Sequence, residues 1–178
     1  MSQLAEDSAR EMVVGVGSDS HGLLRPQVLT ALQGVDFIVH AGDVGGDDIL
    51  PRLREIAPVA AVRGNVDHGP WASDLPETDV VTVGDAMLYV LHDVNALDLN
   101  PAAAGFHAVI SGHSHRPSAT WRDGILYLNP GSVGPRRFQL PISLARLRVR
   151  GTALQVEFVT LGARGGYGRR RDDASLPI

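Results

Sequence analysis

Seven side chains able to hold divalent cations stand in five short segments: Asp19-Ser20-His21, Gly42-Asp43, Gly64-Asn65, His92 and Gly112-His113-Ser114-His115. They supply two carboxylates, one amide and four imidazoles. This mixture suits Mn²⁺, Fe²⁺, Co²⁺ or Zn²⁺, and suits Ca²⁺ less well because that ion prefers all-oxygen sites. Two ions held close together need a ligand that serves both. A carboxylate with two oxygens does this where a neutral imidazole cannot, so Asp43 is the expected bridge. Paired ions about 3.5 to 4 Å apart generate hydroxide at neutral pH and stabilise charge in an in-line phosphoryl displacement. The chemistry implied is phosphoester hydrolysis. Gly-Asp or Gly-His alone is common; the signal is five such endings in order.

Each segment closes an apolar run: Met12-Val13-Val14, Phe37-Ile38-Val39, Val59-Ala60-Ala61-Val62, Leu88-Tyr89-Val90-Leu91 and Ala108-Val109-Ile110. These runs read as buried strands, which puts every ligand just past a strand's carboxyl end, the edge where open α/β sheets bind ligands. Gly42, Gly64 and Gly112 leave room beside the ligand that follows each. Between the strands, Pro26 with Val28, Leu29 and Leu32 predicts a short amphipathic helix ending near Gly34. A second helix carries Ile49, Leu53 and Ile56, with Asp47 or Asp48 as its cap and Pro51 in its first turn. Val66 to Pro76 is expected to be a loop over the site.

From Glu77 the pattern changes to hairpins. Asp79 to Val83 turns at Gly84-Asp85 into Met87 to Leu91, and Ala119-Thr120-Trp121 turns at Asp123-Gly124 into Ile125 to Leu128. Ile142 to Val149 and Leu154 to Leu161 complete the strands. Arg146, Arg148 and Arg150 alternate with apolar residues and are expected to form an exposed charged face that discourages edge pairing. Strand-helix alternation followed by hairpins predicts an α/β protein with two packed sheets flanked by helices.

The 178 residues suit one domain with a sizeable core. We place it at residues 12–161, after a loose polar extension at 1–11 and before a mobile Gly/Arg-rich tail at 162–178. With no cysteine, thiolate nucleophiles and sulfur-ligated metals are excluded. No stretch is apolar enough to span a bilayer, and a cytoplasmic location is expected. All sixteen basic residues are Arg. Residues 1–100 hold 5 Arg against 16 acids, and residues 101–178 hold 11 against 4. The acidic part suits cations; the basic part could attract phosphate-bearing ligands or a neighbouring subunit, so a homo-oligomer is possible. Only 5% of residues are aromatic, which argues against a nucleic-acid partner and for a small-molecule diester. Gly15-Val16-Gly17 fails as a dinucleotide fingerprint because Ser20 replaces the third glycine.

The remaining polar residues have supporting roles. His40 reads as a packed residue behind the ligands, and His107 is given no role. His68, three residues after Asn65, is the candidate proton donor, and Asp67 is expected to orient loop groups by hydrogen bonding.

Taken together, Asp-x-His, Gly-Asp, Gly-Asn-x-Asp, His and Gly-His-x-His resemble the calcineurin-like metallophosphoesterase superfamily. Asn129-Pro130-Gly131-Ser132 and Gly64-Asn65-Val66-Asp67 narrow the resemblance to YfcE-type phosphodiesterases and the related retromer scaffold subunit, over roughly Val13 to Leu161. It implies a four-layer α/β/β/α sandwich of two mixed sheets. It also implies one metal on Asp19, His21, Asp43 and His115 and a second on Asp43, Asn65, His92 and His113, with Asp43 and Asn65 catalytic as well. Mn²⁺ is the first choice of ion, with Fe²⁺, Co²⁺, Ni²⁺ or Zn²⁺ as alternatives. The implied activity is hydrolysis of a small-molecule or nucleotide-type phosphodiester by a metal-activated hydroxide. The alternative is a metal-binding interaction scaffold with little catalysis. Two departures stand out. Many relatives have histidine directly after the motif asparagine, where this chain has Val66, which cannot transfer a proton. Glycine often follows the fifth-motif histidine, where this chain has Asp93.

Overall fold

The computed structural model describes residues 10–162 and the backbone of 167–171. The first strand, β1 (Met12–Gly17), alternates its side chains between two apolar layers. Val14 and Val16 face one layer, while Val13 packs against the other. Helix α1 (Pro26–Ala31) follows, started by a proline whose missing N–H costs nothing there. Strand β2 (Phe37–His40), helix α2 (Ile49–Arg54) and strand β3 (Val59–Ala61) complete the first region. Both helices are shorter than the apolar pattern suggests. Asp48 occupies the cap position of α2 but makes no side-chain cap bond, and its carboxylate instead lies 3.5 Å from Arg52 one turn on.

Hairpin β4 (Thr78–Val83) and β5 (Ala86–Leu91) leads to β6 (Ala108–Ile110). A second hairpin joins β7 (Ser118–Arg122) to β8 (Ile125–Asn129) through Asp123 and Gly124, both at positive φ as the tight turn requires. Strands β9 (Ser143–Arg150), β10 (Ala153–Leu161) and β11 (Tyr167–Arg171) end the order.

These strands form two mixed sheets, one ordered β11-β10-β9-β1-β2-β3 and the other β4-β5-β6-β8-β7. In the first, β1, β2 and β3 are parallel; in the second, β5, β6 and β8 are parallel. The parallel strands of both sheets supply every candidate ligand from the loops at their carboxyl ends. The sheets face each other across a core that includes Val14, Val39, Leu88, Ile110, Leu126 and Leu147. Both helices cover the other face of the first sheet through Val28, Leu32, Ile49 and Leu53. The outer face of the second sheet is covered by the segment after His92, with Leu97, Leu99 and Phe106 against Tyr89, Val109 and Ile125. Among the described residues that fourth layer carries no α-helix, but a 3₁₀ turn, Val94–Ala96, and hydrogen-bonded turns over residues 100–106.

One expectation changes. Strand β9 is central, paired with β1 and β10, so its arginines guard no edge. Their face points toward the helices, and Arg146 donates to the carbonyls of Ala31 at 2.7 Å and Gln33 at 3.2 Å, at the carboxyl end of α1 where a cation is favoured. Within the segment expected to be a mobile tail, Tyr167–Arg171 pairs antiparallel with β10. A strand with free backbone groups on one side templates another, and here it does so although Gly168 lies inside the run. Residues 1–9, most of the expected extension, lie outside the described residues, as do 163–166 and 172–178 of the tail.

Candidate metal centre

The ligand-bearing loops are fixed by their own backbones. Asp19, His21, Asp43, His113 and His115 all have φ between 46° and 67°. Left-handed conformations in residues other than glycine cost about 1 to 3 kcal/mol each and cluster where function needs them. Here main-chain bonds between neighbouring loops stabilise them: Asp19 N–H to Gly42 O at 3.0 Å, His21 N–H to Asp43 O at 3.0 Å, and Gly112 N–H to His92 O at 2.9 Å. Gly42 has φ 89°, and a side chain there would put its Cβ 2.6 Å from His92 Nδ1. A Cβ on Gly64 would collide with the backbone and carboxylate of Asp43. The glycines make space between ligands, which is a stricter demand than making space for ions.

The seven side chains form two adjoining sets. In one, His115 Nε2 lies 3.2 Å from Asp19 Oδ1 and 3.3 Å from His21 Nε2. In the other, His92 Nε2 lies 3.0 Å from Asn65 Oδ1, which is 3.1 Å from His113 Nδ1. Asp43 Oδ2 stands between them, 3.8 Å from His21 Nε2 and 3.4 Å from His92 Nε2. Its partner oxygen, Oδ1, accepts the Val66 N–H at 2.9 Å. A single oxygen of Asp43 therefore faces both sets, where the sequence suggested one oxygen for each.

Bonds behind the ligands aim them. His92 Nδ1 lies 2.7 Å from the Ala41 carbonyl, a bond that fixes the proton there and leaves Nε2 free to ligate. Asp19 Oδ2 accepts from Ser18 Oγ at 2.6 Å and from the His113 N–H at 3.1 Å, while its buried Oδ1 has no hydrogen-bond donor. A buried carboxylate oxygen without a donor, packed against imidazole nitrogens, is costly unless a cation satisfies it. The residues present therefore fit divalent cations.

Without cations the same contacts set the protonation, and the proton they favour on His92 Nε2 is one that a cation would displace. Burial pushes the Asp43 carboxyl upward, but the bonds from His92 and the Val66 amide outweigh it and hold the group at about 2. Burial lowers the basicity of His92, yet its contacts with Asp43 and the Ala41 carbonyl raise it above the ordinary value overall. Burial lowers His115, with Asp19 opposing and Arg137 reinforcing.

The supporting residues are placed as follows. Asp67 is buried and accepts three backbone N–H groups, from Val44 at 3.1 Å, Gly45 at 2.8 Å and Gly64 at 2.8 Å. His40 is buried beside Ser20 Oγ at 2.9 Å, behind the ligands as expected. His107 Nδ1 accepts the Met87 N–H at 3.1 Å, a structural role. His68 is exposed in the loop and bonds to no described residue. Asp93 caps the 3₁₀ turn by accepting from the Asn95 N–H at 3.0 Å. Beyond His113 a groove of about 160 Å³ opens, with Asn95, Ser118, Thr120 and Tyr127 among its walls.

Sequence reasoning missed Ser18, Arg137 and the mechanics of the Asn129-Pro130-Gly131-Ser132 segment. Asn129 Nδ2 donates to Gly112 O at 2.6 Å, and Ser132 Oγ donates to Asp19 O at 2.9 Å. The motif was visible, but its contacts span 17 and 113 residues. Only the strand order brings them together.

Residues 12–152 match the model of the calcineurin-like phosphoesterase superfamily domain, and the chain belongs to that family. Among its relatives is a protein of Methanothermobacter thermautotrophicus described as "Probable metallophosphoesterase", 31% identical over 164 residues, covering 85% of this chain and 94% of the relative. Phosphodiesterase YfcE of Escherichia coli K12 is 31% identical over 160 residues, 73% of this chain and 84% of YfcE. Among solved structures, wild-type Vps29 of Entamoeba histolytica complexed with Zn²⁺ superposes with a TM-score of 0.74 at 26% identity, over 90% of this chain and 98% of that one. Among the described residues, no helix is long and apolar enough to cross a membrane.

Proposed function

We propose that this protein is a dinuclear metal-dependent phosphodiesterase acting on a small-molecule or nucleotide-type diester. The observation that carries this reading is the position of Asp43 Oδ2 between two complete sets of donors. Asp19, His21 and His115 would hold one divalent ion, Asn65, His92 and His113 the other, and Asp43 both. Mn²⁺ is the first choice, and Zn²⁺ is supported by the complex of the Vps29 relative. Such a pair lowers the pKa of water and neutralises phosphoryl charge.

The chain's own residues then set the limits of the reaction. Asp43 is ionised at any working pH and can accept both cations. Asn65, at the exposed mouth, has an amide able to orient a phosphoryl oxygen. Val66 offers no proton to a departing alkoxide, so His68, or solvent, must do so. Esters of acidic alcohols and diesters are the favoured substrates over alkyl monoesters.

Metal content by elemental analysis, together with rates on matched mono- and diesters across added metals, tests the proposal. Asp43→Asn should lower the bound metal and slow turnover at least about 100-fold, since even residues that only support a ligand cost 10 to 100-fold. Full activity in that variant would remove Asp43 from the bridge. Tight binding of Mn²⁺ with no hydrolysis of any diester would favour the scaffold reading, which the likeness to Vps29 keeps open.

A further inference from the structure

The chain leaves β8 through Asn129-Pro130-Gly131-Ser132 and returns to β9 by way of residues 134–141, and this loop sends Arg137 back to the metal centre. One guanidinium nitrogen lies 3.5 Å from His21 Nε2. Among the described residues, Arg137 has no carboxylate within ion-pair distance. Guanidinium is always charged and carries only donors. The lone pair of His21 Nε2 can accept from Arg137 or bind a cation, but not both. Loading the site therefore takes away the acceptor and sets positive charge beside positive charge. An anion that meets the cation and the guanidinium together resolves both problems, and a phosphoryl oxygen is such an anion.

The next residue extends the pattern. Phe138 is 93% exposed, and its φ is 52°. A bulky side chain at positive φ is an outlier that calls for a reason. The loop enforces it through the Leu140 N–H bonded to Arg137 O at 3.1 Å and Arg136 Nε bonded to Leu140 O at 3.2 Å. The ring is thus held in water one residue from the phosphate-seeking guanidinium. Flat heterocycles stack on such a ring whatever their hydrogen-bonding edge.

We propose that residues 134–141 form the specificity arm of the site, with Arg137 clamping a non-bridging phosphoryl oxygen and Phe138 stacking on the base of a nucleotide-type phosphodiester. This rests on the phosphodiesterase reading, and binding separates the two. Full-length Mn²⁺-loaded protein is titrated calorimetrically with inorganic phosphate and with thymidine 5′-monophosphate. Turnover is measured on thymidine 5′-(4-nitrophenyl phosphate) and methyl 4-nitrophenyl phosphate, which share a leaving group and differ in the other arm.

Arg137→Ala should keep its metal and weaken both ligands by about 10 to 100-fold, the range for a charge-assisted hydrogen bond, with Arg137→Lys recovering only part. Phe138→Ala should leave phosphate binding and the methyl ester unchanged while raising KM for the thymidine ester by about 10-fold. Arg54→Ala, which removes an exposed charge on α2, should match wild type. Wild-type phosphate affinity in Arg137→Ala overturns the clamp. Equal losses on the two esters in Phe138→Ala overturn the stacking role. If neither ester turns over but both ligands bind in the expected residue-dependent way, the recognition arm stands and the hydrolase reading falls.

Discussion

At the scale of single residues, the buried polar groups are specialised by what touches them. Asp43 is stabilised as an anion, while His40, three residues earlier, is held neutral. Burial outweighs the nearby carboxylates and holds the His40 ring at about 4 against an ordinary 6.5. The sign follows directly: the unfolded chain takes up this proton as pH falls below 6.5, and the folded chain does not until about 4. The stability tied to neutral His40 is therefore complete above pH 6.5 and lost between 6.5 and 4, by on the order of 3 kcal/mol. Urea unfolding of metal-free protein at pH 7 and pH 5 measures it. His40→Asn should be less stable at pH 7 because Ser20 Oγ loses one of its two partners, yet should show a smaller drop on acidification. An undiminished drop would assign the effect elsewhere. His92, whose basicity is raised, works in the opposite direction, so only the difference between variants isolates His40. The ligand identities were legible in the sequence because each follows a strand and most sit in a short glycine motif. That Asp43 presents one oxygen to both sets was not, because it depends on the Val66 amide, which any residue but proline would supply.

At the scale of elements, the centre exists because loops from separate strands are tied to one another. Asp67 is the knot between the turns after β2 and β3, since its carboxylate serves Val44, Gly45 and Gly64 at once. Asp67→Ala would leave three N–H groups with no acceptor at a buried position. At about 1 to 3 kcal/mol for each unsatisfied group, with partial relief from entering water, a loss of about 3 kcal/mol is expected. Asp67→Asn, which retains one acceptor oxygen, should lose less. The urea midpoint should fall with an unchanged slope, and metal affinity should fall with it as Asp43 and Asn65 lose their register. A stability loss with wild-type metal affinity would show that the two turns hold position independently. Apolar runs and turn residues made most strands readable, and Asp123-Gly124 marked its hairpin. The place of β9 was not readable. Alternating arginines suit an edge as well as a strand whose outer face meets a helix end, and only pairing with β1 and β10 decides between them.

At the scale of the whole molecule, all candidate ligands and the Arg137 loop lie at one edge of the sandwich, while β11 closes the far side of the first sheet. The order β11-β10-β9-β1 puts two strands between that closing strand and the one leading to Asp19 and His21. Local pairing and site geometry should then be separable. Deleting residues 162–178 removes β11 and frees the hydrogen-bonding edge of β10, which includes Phe158 and Val159. An exposed, regular edge invites pairing with a second copy. The shortened protein should hold the same metal and turn over diesters within about twofold of the full chain, since only interactions that reach the reacting groups alter the rate. Light scattering should show it associating more steeply with concentration than the full chain, whose edge is the shorter, arginine-rich β11. The opposite result, lost metal with no association, would mean that the terminal strand reaches the centre through the core shared by β9 and β1. In that case the sandwich would have to be treated as a single mechanical unit.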